Sequence, residues 1–183
     1  EHFILKPEYI FLTIPEYEVS LCFYPEYRAL FGKQMGELFD TKFYSTQAHT
    51  FPTPVQSCGP VKYFTEMPGV FRYSKLNLNP TLKSIRSGIP LRALDIMASK
   101  GVLFSNYQPE LAEYFEDGRD VIMYNSMEDA FEKAAYYLQH TDLLTGIARN
   151  GYEITKSLFH YPDRINAIIN VITKENYEQK SNP

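Results

Sequence analysis

Between Lys75 and Asn125 the chain alternates two hydrophobic patterns. Lys75-Leu-Asn-Leu-Asn79 alternates apolar with polar residues, the two-residue period of a strand. Gly101-Val-Leu-Phe-Ser-Asn106 and Asp120-Val-Ile-Met-Tyr-Asn125 are short apolar runs that also read as strands. Between them, Leu91 to Lys100 and Pro109 to Phe115 carry apolar residues at helical spacing. Strands and helices alternating this tightly build parallel βαβ units, so the pattern predicts an α/β fold with helices flanking a parallel sheet.

Upstream, Thr41-Lys-Phe-Tyr-Ser-Thr46 alternates like a strand, and Arg28 to Phe39 reads as a helix despite Gly32 and Gly36. Val55 to Val61 predicts another short strand, and Met67 to Tyr73 a short helix opened by Pro68. Downstream the pattern turns helical. Ser126, with Asp129 three residues on, caps a helix running to about Gln139. Thr141 caps a second that ends near Leu158, and Pro162 opens a last one reaching about Lys174. Residues 1–25 give no clear element and read as an uncertain segment or a strand and linker from another domain. The domain itself is expected over 26–174, and 175–183 as a polar, frayed tail.

Composition narrows the function classes. The chain has 183 residues, 44% hydrophobic and 22% charged, which suits one globular domain. Its apolar runs, such as Ile10 to Ile14, are too short for a bilayer core of about 30 Å. Nothing at the start reads as a signal peptide, and the cysteines, read as reduced thiols, lead to the expectation of a cytoplasmic location. The net charge is −4 and the 18 basic residues are scattered, whereas nucleic-acid binding needs clustered cations. Cys22 and Cys58 form no CxxC pair and read as reduced, buried thiols. A P-loop, GxGxxG, HExxH or Ser-His-Asp order is missing, and His2, His49, His140 and His160 are isolated.

The candidate chemistry lies where the strands end. Ligands of an open parallel sheet bind outside the carboxyl ends of its strands. Three predicted strands end in asparagine, at Asn79, Asn106 and Asn125, and each amide offers donors and acceptors, although asparagine also simply suits turns. In Lys83-Ser-Ile-Arg-Ser-Gly-Ile-Pro-Leu-Arg-Ala-Leu-Asp95, Gly88 permits a tight turn and Pro90 suits a helix's first position. The helix start at Pro90 and Leu91 points main-chain donors and the positive end of the dipole at an anion. Lys83, Arg86 and Arg92 add cations for a diphosphate. Asp95 projects from nearly the same face as Arg92, placed to accept from a ribose diol, or equally to form an intrahelical ion pair. Glu66 is a further candidate acceptor for a base or sugar, or a helix-start charge. Glu110 and Glu113 read as helix-start charges.

Ser74-Lys-Leu-Asn-Leu-Asn79, Ser87-Gly-Ile-Pro-Leu-Arg-Ala-Leu-Asp-Ile-Met-Ala98 and Asn106-Tyr-Gln-Pro-Glu-Leu-Ala-Glu-Tyr-Phe-Glu-Asp-Gly118 together resemble the CgeB-like glycosyltransferases of the GT-B superfamily. Gly59-Pro-Val-Lys-Tyr-Phe-Thr-Glu-Met-Pro68, Ile147-Ala-Arg-Asn-Gly151 and Tyr161-Pro-Asp-Arg164 extend the resemblance to about Thr41–Thr173. It implies a Rossmann-like C-terminal half of a GT-B fold that binds a nucleotide-diphosphate sugar and faces an acceptor-binding N-terminal domain. It further implies transfer of the sugar to a hydroxyl acceptor, for cell-surface or spore glycans; no metal or other cofactor is expected if helix N–H groups and cations stabilise the departing diphosphate. Asp95 matches the second acid of the family's Glu-x7-Glu pattern, which holds the ribose. Pro90, Leu91 and Arg92 match the turn facing the diphosphate. Ser87 stands where the first Glu is expected, and Phe159 where the family usually has His, so neither that acid's role nor a role for His160 carries over. Three rival readings are a non-catalytic sugar-nucleotide-binding or scaffold module, a sugar-nucleotide epimerase of GT-B form, and a pure protein-interaction domain.

Overall fold

The computed structural model describes residues 10–12, 37–44, 56–81 and 87–181. Six parallel strands form one sheet: β1 (Ile10–Leu12), β2 (Thr41–Phe43), β3 (Gln56–Ser57), β4 (Leu76–Asn79), β5 (Leu103–Asn106) and β6 (Ile122–Tyr124). Their order is β3-β2-β1-β4-β5-β6. The chain therefore winds outward from β1 in one direction, crosses back, and winds outward from β4 in the other. That order is the doubly wound one, with its topological switch between β1 and β4. Ile10–Leu12 pairs with both β2 and β4, so a strand from the N-terminal segment lies inside this sheet and does not belong to a linker.

Among the described residues, besides the helical pair Glu37 and Leu38, six helices flank the sheet: α1 (Met67–Tyr73), α2 (Leu91–Ala98), α3 (Pro109–Tyr114), α4 (Met127–Gln139), α5 (Thr141–Leu158) and α6 (Tyr161–Ser181). Alternation along the strands divides the core into two. Leu76, Leu78, Phe104, Ile122 and Tyr124 pack with Ala130 and Ala134 of α4 and with Leu144, Ile147 and Ala148 of α5. Leu103 and Met123 face the other way, onto Phe71 of α1, Ala93, Ile96 and Met97 of α2, and Leu111 and Phe115 by α3. Asn77 and Asn79 alternate with Leu76 and Leu78, so they take this second face. Asn77 confirms it: its buried Nδ2 donates to Phe71 O at 3.0 Å and to Val102 O at 3.1 Å.

The predicted elements recur with shifted ends. Glu37 and Leu38 are helical and Phe39 has already left the helix, while residues 28–36 of the helix expected from Arg28 lie outside the described residues, as do Ser45, Thr46 and Val55. The strand expected over Val55–Val61 shrinks to Gln56–Ser57, with Cys58 N still donating to Phe43 O at 2.8 Å. Gly59, at φ 72°, and Pro60, which has no N–H to give, turn the chain away. Cys58 is a free thiol and half-buried, not buried as expected, because it sits at this edge; Cys22 lies outside the described residues.

Ser126 caps α4 as expected: its Oγ accepts from Asp129 N at 3.2 Å, while the Asp129 carboxylate accepts from Asn125 N at 2.8 Å. Ser126→Ala should cost about 1 kcal/mol in a denaturant melt; an unchanged midpoint would show that the cap contributes nothing. Thr141, in contrast, is not a cap. His140 is the one residue between α4 and α5, so Thr141 is already helical and no side chain caps that start. α6 begins at Tyr161 and continues to Ser181, past the Lys174 limit, and replaces the expected frayed tail. Glu175 to Ser181 contains neither glycine nor proline, and its Glu, Gln and Lys residues favour helix. Arg164 donates to Leu158 O at 2.8 Å, closing the end of α5, and His160 Nδ1 lies 3.1 Å from Asp163 Oδ2. Both are local structural contacts. No helix among the described residues is long and apolar enough to cross a membrane.

Candidate functional site

In parallel βα units the helix starts gather at the carboxyl edge of the sheet. Here the starts of α1, α2 and α3 lie along the face that Asn79 and Ser105 share. α2 is prepared for its turn by Gly88, at φ 90°, a backbone state that a side chain would strain. Pro90 is the N-cap, one residue before the expected position, and helical geometry begins at Leu91. No side chain caps this end, and Ala93 N donates to Pro90 O at 2.9 Å. The helix thus presents an uncapped, positively polarised start, with Leu91 exposed and Arg92 half-buried on the first turn. Lys83 and Arg86 lie outside the described residues.

Asp95, one turn further along α2, accepts a hydrogen bond from the Tyr63 hydroxyl. That contact, with burial and the carboxylate's charge, pushes the Tyr63 phenol up to about 12, against the opposing pull of Arg92. Tyr63 therefore stays protonated and remains a donor at neutral pH. The turn that carries it is tied by Glu66. The Glu66 carboxylate accepts from Lys62 N at 2.9 Å, and Lys62 O accepts from Glu66 N at 2.9 Å. Glu66 thus shapes the turn, and one of its oxygens is already used. Asn106 is likewise engaged: its Oδ1 accepts from Thr81 N at 2.6 Å and fastens the loop after β4 to the end of β5.

Asn79 is different. It is 2% exposed, and its Nδ2 has no hydrogen-bond partner. Thr81 Oγ1 and Gln108 Oε1 are also buried and unpartnered. Ser105 Oγ donates to Asn79 O at 2.9 Å, which locks the two strand ends together. Unmet polar atoms in a protein interior cost free energy, and here three of them lie next to the ends of two neighbouring strands. The structure brings Pro90, Leu91, Arg92, Asp95 and Asn79 to one edge. It adds Tyr63, Thr81 and Gln108, which sequence reasoning did not select. Gln108 could have been found as the residue before Pro109, hence an N-cap at a strand end; nothing in the spacing links Tyr63 to Asp95. Among the described residues no group of three or more His, Cys, Asp or Glu side chains could hold a metal ion.

The fold and its winding are those of a Rossmann-like half of a GT-B glycosyltransferase. A complex of an S. aureus TarM variant with fondaparinux, α-GlcNAc-glycerol and UDP aligns with TM-score 0.63 and 14% identity, over 93% of this chain and 36% of that one. Sucrose-phosphate synthase from Thermosynechococcus elongatus aligns with TM-score 0.68 and 9% identity, over 95% of this chain and 46% of that one. The C-terminal domain of a glycosyl transferase group 1 family protein (LpcC) from Francisella tularensis aligns with TM-score 0.60 and 15% identity, over 86% of this chain and 89% of that domain. At such identities the likeness is one of fold. This chain spans less than half the length of the first two. Curated proteins gave no sequence match. The family is nevertheless shown: residues 28–170 match the glycosyl transferase-like family, and the chain belongs to it.

Proposed function

We propose that this chain is the donor-binding half of a glycosyltransferase of CgeB-like type, which takes a sugar from a nucleoside diphosphate and passes it to an acceptor hydroxyl of a cell-surface or spore glycan. The observation that carries the reading is the pairing, on one helix, of an uncapped N-terminus with Asp95 one turn deeper, at the carboxyl edge of a doubly wound sheet. A diphosphate at the helix start meets the main-chain dipole and Arg92, and the attached ribose reaches Asp95. As the sugar leaves, negative charge grows on the diphosphate, and the same fixed dipole and cation stabilise it. No metal ion is required for that step. The unpartnered Asn79, Thr81 and Gln108 atoms support a polar interior beneath the site.

The acceptor and the group that activates it belong, in this reading, to a preceding domain. The chain by itself should bind nucleotide without turnover. Calorimetric titration with UDP, GDP and ADP is expected to show 1:1 binding of at least one, and heats indistinguishable from dilution for all three would overturn the proposal.

A further inference from the structure

We propose that Tyr63 is a ligand-displaced latch: in the free protein its hydroxyl stands on the Asp95 carboxylate in the place of a ligand hydroxyl, and nucleotide binding exchanges one O–H donor for another. This rests on the donor-site reading above and adds a regulation to it. An ionised carboxylate is acceptor-only, and a cis-diol engages it best through both oxygens at once. Tyr63 already holds Oδ2. A ribose diol that takes both oxygens meets the phenol at Oδ2, and exchange there swaps one O–H donor for another of the same chemistry.

The alternative is that Tyr63 stays in place and steadies Asp95 for the ligand. The construction of the turn argues for exchange. Its hydrogen bonds are internal, between Lys62 and Glu66 or Met67. Tyr63 itself is 48% exposed, and the ring it touches, Phe64 at 5.1 Å between centroids, is 87% exposed. Gly59, where the chain enters this segment, has open space around it and a left-handed backbone. Neither aromatic ring is held by a core, so withdrawing the phenol costs little beyond the hydrogen bond itself. A steadying residue would be expected in a packed setting that fixes its rotamer.

The two roles predict opposite signs. Tyr63→Phe keeps the ring and deletes the donor. If the latched form dominates the free protein, apparent affinity is reduced by the fraction that is open, and removing the latch restores it. The variant should bind the nucleoside diphosphate about three- to tenfold more tightly than the wild type. Calorimetry on both proteins with UDP, GDP and ADP reads this directly, and a thermal melt of each checks that the exposed substitution leaves the fold intact. Equal or weaker binding by the variant, where the wild type binds, would overturn the latch and leave the donor site standing. No binding by either protein would overturn both.

Discussion

Gly101→Ala is expected to destabilise the protein by about 2–4 kcal/mol, a fall in Tm of roughly 5–15 °C. α2 ends at Ser99 with Lys100 in the left-handed state at φ 62°, Lys100 N donating to Met97 O and Gly101 N to Ile96 O, each at 2.9 Å. These two bonds form a Schellman motif, with Gly101 as the residue that leads out of it into β5. There the backbone passes so close to its neighbours that a Cβ would stand 2.7 Å from Phe71 O, 2.8 Å from Asn77 Nδ2 and 3.1 Å from Ile96 O. Two of the three are main-chain atoms and cannot swing aside. The third is the amide that bridges Phe71 O and Val102 O, and displacing it strands buried polar groups on α1 and ahead of β5. Gly146→Ala is the control. Gly146 lies in α5 with nothing within 4 Å of the place a Cβ would take and no left-handed backbone, so alanine there should stabilise by up to about 1 kcal/mol through helix propensity. Denaturant melts of the two variants separate close approach from a general intolerance of alanine. Equal effects would refute the packing argument.

The contrast between Gly101 and Gly146 also shows where sequence reading stops. Both are single glycines in or beside helical patterns, and only the path of the neighbouring chain distinguishes them. The same limit explains the elements. β4, β5 and β6 are legible because each run is short and bounded, and the helices between them keep a 3.6-residue period. Ile10-Phe-Leu-Thr-Ile14, which holds β1, is apolar everywhere but at Thr13 and shows neither the alternation of a half-buried strand nor a helical period. Its length alone speaks, and only against a membrane span. In the site, the start of α2 is legible from Gly88 and Pro90, since the turn chemistry is local. The uses of Asn106 and Glu66 are not. Each satisfies a main-chain N–H at the end of an element, a need set by how the loops close and not by residue type. The Tyr63–Asp95 contact joins positions 32 apart and is purely tertiary.

Asp95→Ala should weaken nucleoside diphosphate binding by about 1–3 kcal/mol, the loss of hydrogen bonds to a charged acceptor. That corresponds to roughly 5- to 150-fold in Kd. The lower end of this range applies if the ligand merely replaces Tyr63 on the carboxylate, because the wild type must then give up one hydrogen bond to make another. The upper end applies if both ribose hydroxyls are engaged in a site closed from water. Stability gives a clean separation. The partner of Asp95 is an exposed ring on a locally closed turn, so the variant should unfold within about 0.5 kcal/mol of wild type. A 2′-deoxy ligand supplies the second arm: if Asp95 grips the diol, wild type should lose affinity for the deoxy nucleotide while Asp95→Ala scarcely distinguishes the two. Asp95→Asn, which keeps the shape and one acceptor, should fall between. Unchanged affinity in Asp95→Ala would remove the ribose from this helix and leave Arg92 and the helix start as a bare anion site. Equal discrimination by wild type and variant would place the sugar ring elsewhere along the sheet edge, and the three unpartnered atoms at Asn79, Thr81 and Gln108 would then be the next place to look for it.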